Sequence, residues 1–130
     1  YGLAVGDLNN DRKPEVIALS RSSAFGIIFQ NNTNNGTITG ASFAITNLPV
    51  PIYSYRSAKI ADMDGDGKND FIVPTAFTAV SVYRNISTST TLGVSSFAAK
   101  VDYATQSYCW GVAIADLDGD FKPDIVTSNY

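Results

Sequence analysis

The chain has no histidine and only one cysteine in 130 residues. A zinc site built from imidazole and thiolate is therefore implausible. Cys109 has no second cysteine with which to form an internal disulfide. It reads as a small apolar residue beside Trp110, not as a reactive thiol. No Ser–base or Cys–base pair is visible, and no glycine loop cradles a phosphate, which argues against an enzyme. Charge is scarce as well. Asp, Glu, Lys and Arg make up 16% of the chain, and the formal net charge is −3. The nine basic residues are scattered, so no nucleic-acid surface is expected. No apolar run approaches the length of a membrane span, so no membrane insertion is expected. The sequence has no initiating Met and no signal peptide, and Tyr1 reads as the start of a processed chain or of an excerpt. At 45% hydrophobic residues the chain can build one small core, not two independent domains.

The acidic residues that are present are concentrated. Eleven of the twelve fall inside three copies of one nine-residue pattern, and only Asp102 lies outside. The copies are Asp7-Leu-Asn9-Asn-Asp11-Arg-Lys13-Pro-Glu15, Asp62-Met-Asp64-Gly-Asp66-Gly-Lys68-Asn-Asp70 and Asp116-Leu-Asp118-Gly-Asp120-Phe-Lys122-Pro-Asp124. Each places an oxygen-bearing side chain at positions 1, 3, 5 and 9. Carboxylates crowded this way repel unless a cation sits among them. Solvated acidic turns would not demand acids at fixed positions three times over. A hard divalent ion with many oxygen ligands suits the pattern, calcium above all. The expected cages use the side chains of Asp7, Asn9, Asp11 and Glu15, of Asp62, Asp64, Asp66 and Asp70, and of Asp116, Asp118, Asp120 and Asp124. The backbone carbonyls of Lys13, Lys68 and Lys122 add a ligand at position 7. Up to three Ca2+ follow, which would take the net charge from −3 to +3 (−3 + 6).

The three loops are not equivalent. Asn9 removes a carboxylate from the first. Gly67 adopts a positive φ freely at position 6, whereas Arg12 and Phe121 are strained if the loop requires it there. The expected affinity order is second, third, first. These are not EF-hands, which need Glu at position 12 and flanking helices. Position 12 here is Ala18, Val73 or Thr127, and the flanks are short β-branched runs that read as strands.

The pattern belongs to a longer repeat. Its first aspartates, Asp7, Asp62 and Asp116, are 55 and 54 residues apart. Ser42-Phe43-Ala44 and Ser96-Phe97-Ala98 each lie twenty residues before the next acidic loop. The chain parses into units at 1–55 and 56–109 and a partial unit at 110–130. Four short strands are expected per full unit, near 57–62, 70–74, 79–85 and 96–102 in the second. That is an all-β fold of four-stranded antiparallel, propeller-type blades, with the acidic loop between the first and second strands.

Val112-Ala-Ile-Ala-Asp116 ahead of the loop, Asp-x-Asp-x-Asp-Gly-x-x-Asp within it and Ile125-Val126 behind it resemble the FG-GAP and VCBS repeats. The resemblance covers essentially the whole chain. It implies integrin-α-like β-propellers with calcium in the loop joining the first two strands of a blade. It also implies an extracellular, secreted or cell-surface setting, as in tandem arrays of secreted bacterial surface proteins. The expected function is a non-catalytic, calcium-stabilised module for adhesion, scaffolding or fibre building. The alternative is a carbohydrate-binding module that uses Tyr53, Tyr55, Tyr108 and Trp110. Packing of those aromatics between blades competes with that reading.

Two units and a fragment are too few for a closed propeller of roughly four to eight blades. Neighbouring repeats or like chains are expected to cover the open strand edges, either within a longer closed array or as a homo-oligomer or filament. Asn31, Asn35 and Asn85 each begin an Asn-x-Ser/Thr acceptor pattern, so glycans are a further possibility.

Overall fold

The computed structural model describes residues 2–20, 25–34, 36–49, 57–75 and 78–130. Among them are ten strands and two short 3-10 turns, and no helix is long and apolar enough to cross a membrane. The first sheet is an antiparallel meander of β1 (Gly2–Gly6), β2 (Glu15–Leu19), β3 (Phe25–Asn31) and β4 (Phe43–Pro49). The second repeats it with β5 (Lys59–Ala61), β6 (Asp70–Thr75), β7 (Ala79–Tyr83) and β8 (Val101–Ala104). The third is a hairpin of β9 (Cys109–Ala115) and β10 (Asp124–Asn129). Each acidic loop joins the first two strands of its sheet.

The second sheet lies between the other two, and its central strand is buried along nearly its whole length. Asp70 to Pro74 are all buried, and the two faces of β6 serve two cores. Phe71 and Val73 pack toward the first sheet with Ile17, Leu19, Ile28 and Leu48. Ile72 points the other way and joins Val80, Cys109 and Val112 against the hairpin. This is the period-2 alternation of a strand covered on both sides, which is why Phe71-Ile-Val-Pro74 reads as a continuous apolar run and not as an alternating one. Pro74 sits in this central strand without cost on the β5 side, because β5 begins opposite Ile72 at Lys59. Phe71 stacks on Tyr83 with ring centroids 5.5 Å apart. The Tyr83 hydroxyl donates to the Pro49 carbonyl of the first sheet at 3.3 Å, and burial pushes its pKa up to about 12. At Gly6 a Cβ would meet Ile60 Cγ2 at 2.9 Å, which explains glycine where the later units have Ala61 and Ala115.

The strand bounds differ from expectation mainly at the fourth strand of the second unit. A strand was expected over 96–102, but β8 spans Val101–Ala104. Before it, Val94–Ser96 form a 3-10 turn, and Phe97 makes only an isolated bridge to Asn85. The Ser96 hydroxyl accepts the Gly93 N–H at 3.0 Å, as the Ser42 hydroxyl accepts the Thr39 N–H at 2.9 Å. The serine of the repeated Ser-Phe-Ala therefore closes a turn that leads directly into β4 in the first unit, whereas in the second unit the strand begins only at Val101. The Asp102 carboxylate is then held below its ordinary pKa by Lys100, and by the buried Ser81 hydroxyl at 2.6 Å.

Phe71→Ala should cost about 3–5 kcal/mol, because it empties the centre of the first core. Val5→Ser, on the exposed face of β1, should change stability by less than about 0.5 kcal/mol. Urea unfolding of the two variants checks the assignment of faces.

Candidate metal centre

The three acidic loops share one backbone design. Position 4 is Asn10, Gly65 or Gly119, with φ of 59°, 77° and 82°. Position 6 is Arg12, Gly67 or Phe121, with φ of 67°, 82° and 66°. The loop does require the left-handed conformation at position 6, in every copy, so Arg12 and Phe121 carry the strain that Gly67 avoids. The one at position 4 was not anticipated, although Asn and Gly are the residue types that tolerate it. These two reversals turn backbone N–H groups inward onto the first aspartate. Asp62 accepts the N–H of Gly65 at Oδ1 and of Gly67 at Oδ2, both at 2.8 Å. Asp116 does the same with Gly119 at 2.7 Å and Phe121 at 2.9 Å. Asp7 accepts from Arg12 at Oδ2 (2.8 Å) and from Asn9 and Asp11 at Oδ1. The aspartate at position 5 accepts the N–H of residue 7, which ties Lys13, Lys68 and Lys122 to Asp11, Asp66 and Asp120 at 2.8–2.9 Å. Each carboxylate oxygen that accepts one such bond retains a second lone pair.

The side chains converge unequally. Carboxylate oxygens of Asp62, Asp64 and Asp70 lie within 4.8 Å of one another, and so do those of Asp116, Asp118 and Asp120. At Ca–O distances of 2.3–2.6 Å, ligands on opposite sides of one ion are about 4.6–5.2 Å apart, so either trio can hold a single hard cation. Asp66 and Asp124 lie outside these trios, and among the described residues the first loop brings no three carboxylates together. Asn9 instead is buried, and its amide donates to the Thr90 carbonyl of the second unit at 2.7 Å. Local cations compensate little: Arg84 stands 3.6 Å from Asp64, Lys68 3.9 Å from Asp66 and Lys122 3.5 Å from Asp120, all with exposed partners.

The position-9 carboxylate has a second task. Glu15 accepts the Leu8 N–H at 2.8 Å and, with its other oxygen, the Asn31 N–H at 3.3 Å. Asp70 accepts the Met63 N–H at 2.9 Å and the Asn85 N–H at 2.8 Å. Both side chains are fully buried, and burial pushes their pKa values up against the lowering effect of those N–H bonds. This carboxylate thus staples the acidic loop to the end of the third strand. Sequence reasoning cast it only as a ligand.

The asparagines at that staple correct the glycosylation expectation. Asn31 and Asn85 are buried. The Asn31 amide donates to the Pro14 carbonyl at 3.2 Å, and that of Asn85 to the carbonyls of Asn69 (2.9 Å) and Leu8 (2.7 Å). Their Oδ1 atoms accept the N–H of Thr33 and Ser87, both at 3.0 Å. The Asn-x-Ser/Thr repetition is thus a local turn whose amide nitrogens are engaged in hydrogen bonds within the fold, an arrangement that a glycan at either nitrogen would have to break. Asn35, Tyr53 and Tyr55 lie outside the described residues. Tyr108 and Trp110 are 50% and 41% exposed, not buried among the described residues, and Trp110 stacks on Tyr130 at 5.3 Å. Cys109 is buried in the second core, and burial pushes its thiol pKa up.

Phe121 is 95% exposed, so its positive φ is strain without compensating burial. Phe121→Gly should stabilise the chain by about 0.5–1 kcal/mol, the left-handed penalty less the entropy of glycine. Thermal unfolding checks this, and a loss of stability would show that the ring is used.

The comparisons with known proteins agree with this geometry. The FG-GAP-like repeat model matches the chain twice, over residues 7–73 and 62–127, and each match runs from one acidic loop through the next. No curated protein and no solved structure matches the chain. Two four-stranded antiparallel sheets, repeated acidic loops and a double match that spans nearly all of the sequence place the chain in the FG-GAP-like repeat family.

Proposed function

We propose that the chain is a non-catalytic repeat module, stabilised by calcium, that serves adhesion, scaffolding or fibre building outside the cell. The observation that carries this reading is the pair of carboxylate trios, Asp62/Asp64/Asp70 and Asp116/Asp118/Asp120, in loops whose backbone is reversed twice to converge them. In the second loop Asp62 and Asp64 would hold the ion with Asp70, and Asp66 and the Lys68 carbonyl would complete the set. In the third, Asp116, Asp118 and Asp120 would do so with the Lys122 carbonyl and Asp124. The first loop, with Asn9 turned to another contact, would bind most weakly. The ion supplies positive charge that relieves carboxylate repulsion and stiffens the first hairpin of each sheet. Exposed loops of this kind suit the modest affinities of extracellular calcium modules, roughly 10⁻⁴–10⁻³ M, which fits a setting where calcium is abundant. The absence of histidine and the burial of Cys109 support a role without catalysis.

A second reading, carbohydrate binding, is favoured by the exposure of Tyr108, Trp110 and Tyr130, which offer an aromatic surface of the kind that stacks on sugar rings.

Asp64→Asn combined with Asp66→Asn should abolish calcium stabilisation from the second loop. At 10 mM calcium that is a loss of about 1.4–2.7 kcal/mol, or several degrees in Tm. In chelator the melting temperature should hardly change, and an equal drop in both conditions would overturn the metal assignment. Trp110→Ala should leave that calcium response intact. If the aromatic surface binds sugar, the same variant should lose binding on a glycan array.

A further inference from the structure

The first two acidic loops are bridged by side-chain amides at reciprocal positions. The Asn10 amide, at position 4 of the first loop, donates to the Gly67 carbonyl at position 6 of the second, at 3.1 Å. The Asn69 amide, at position 8 of the second loop, donates to the Asp7 carbonyl at position 1 of the first, at 2.7 Å. Asn69 stands between the two groups at positions 7 and 9, the Lys68 carbonyl and the Asp70 carboxylate. Asp7 is the residue whose carboxylate gathers the N–H groups of Asn9, Asp11 and Arg12. The Asn85 amide adds a third tie, since it donates to the carbonyls of Leu8 and Asn69 while Asp70 holds the Asn85 N–H. The second and third loops cannot repeat the two reciprocal bridges. Position 4 of the second is Gly65 and position 8 of the third is Pro123, and neither carries a side-chain amide.

We propose that the first and second loops act as one coupled unit, in which an ion held by the second loop also orders the first, while the third loop responds on its own. Asn10 and Asn69 are the positioning residues of this coupling. The proposal rests on the metal reading of the second loop, and it needs no ion in the first. An ion that fixes the Lys68 carbonyl and the Asp70 carboxylate removes the freedom of the backbone on both sides of Asn69. The Asn69 amide then meets the Asp7 carbonyl with little further loss of entropy, and the Gly67 carbonyl is held in place for Asn10. Asp7 in turn holds the N–H groups that close the first loop. Among the described residues the first loop brings no three carboxylates together, so it takes its order from its neighbour and not from a cation trio of its own. Coupling of this kind is reciprocal. A first loop that is already ordered raises the ion affinity of the second by the same factor.

The backbone N–H groups that bond to carboxylates in each loop serve as reporters. Amide hydrogen exchange of the 130-residue protein is followed against calcium concentration at residues 8–13, 63–68 and 117–122. Exchange at 8–13 is expected to slow with the same calcium midpoint as at 63–68. The double variant Asn10→Gly, Asn69→Pro removes both bridges with residues that the other copies already carry, Gly65 and Gly119 at position 4 and Pro14 and Pro123 at position 8. It should keep the response at 117–122, lose the response of 8–13 at that midpoint, and weaken binding at 63–68 by about fivefold or more. Asp64→Asn with Asp66→Asn should silence 8–13 at that midpoint together with 63–68, and spare 117–122. No calcium response at 63–68 in the unaltered chain would overturn the metal reading and the coupling with it. A response at 63–68 with none at 8–13, or one at 8–13 that persists at the same midpoint in either double variant, would overturn the coupling alone.

Discussion

In each of the two four-stranded sheets one carboxylate, buried at the root of the first hairpin, ties together parts of the fold that would otherwise move separately. Glu15 and Asp70 each accept an N–H from the acidic loop and another from an asparagine, Asn31 at the end of β3 and Asn85 two residues beyond β7. Burying a carboxylate is costly unless it is hydrogen-bonded on both oxygens, and here it is. The loop cannot change shape without disturbing the third strand, and the third strand cannot slide without freeing a buried charge. A cation beside Asp70 would favour its ionised form and so oppose the upward push of burial. Occupancy by a metal would therefore be linked to sheet integrity through the same group.

The asparagines extend that linkage between sheets. The Asn69 amide donates to the Asp7 carbonyl at 2.7 Å, the Asn85 amide to the Leu8 carbonyl at 2.7 Å, and the Asn10 amide to the Gly67 carbonyl at 3.1 Å. The first and second acidic loops thus abut through neutral donors and backbone acceptors, although both carry excess negative charge. Neutral amides are the side chains suited to this place. Carboxylates here would add repulsion and could not donate to carbonyls, and lysines would compete for the loop oxygens.

Much of this was legible in the sequence. The spacing of Asp7, Asp62 and Asp116 marked the repeat, and the runs after Glu15, Asp70 and Asp124 marked the second strands, because periodicity and loop composition are local signals. The strained position 6 was legible from the contrast between Gly67 and its counterparts Arg12 and Phe121. What escaped was whatever depends on partners far along the chain. Asn31 and Asn85 were visible as a repeated pair, but their role is set by Glu15 and Asp70, 16 and 15 residues away. The short β8 was missed because Ser96 satisfies a turn that apolar patterning does not register. Trp110 looked like a core residue by type, yet it is 41% exposed and stacks on Tyr130.

The inequality of the three loops has the same origin. Asn9 reads in isolation as a ligand lost by substitution. In the fold it is a donor to the Thr90 carbonyl, beside Gln30, whose amide donates to that carbonyl at 2.7 Å and whose oxygen accepts the Leu92 N–H at 2.9 Å. An aspartate at this position would face a carbonyl with another acceptor, in a buried setting where an unpaired charge costs most. The first loop has therefore given up part of its carboxylate cluster to bind the second unit directly. The second loop is joined to the first through Asn69 and Asn85 and keeps its trio. The third makes no such contact across sheets among the described residues, and its acids are the most exposed. Across the three copies the acidic loop shifts from inter-sheet joint to open carboxylate cluster, and position 3 is asparagine in the first copy and aspartate in the other two.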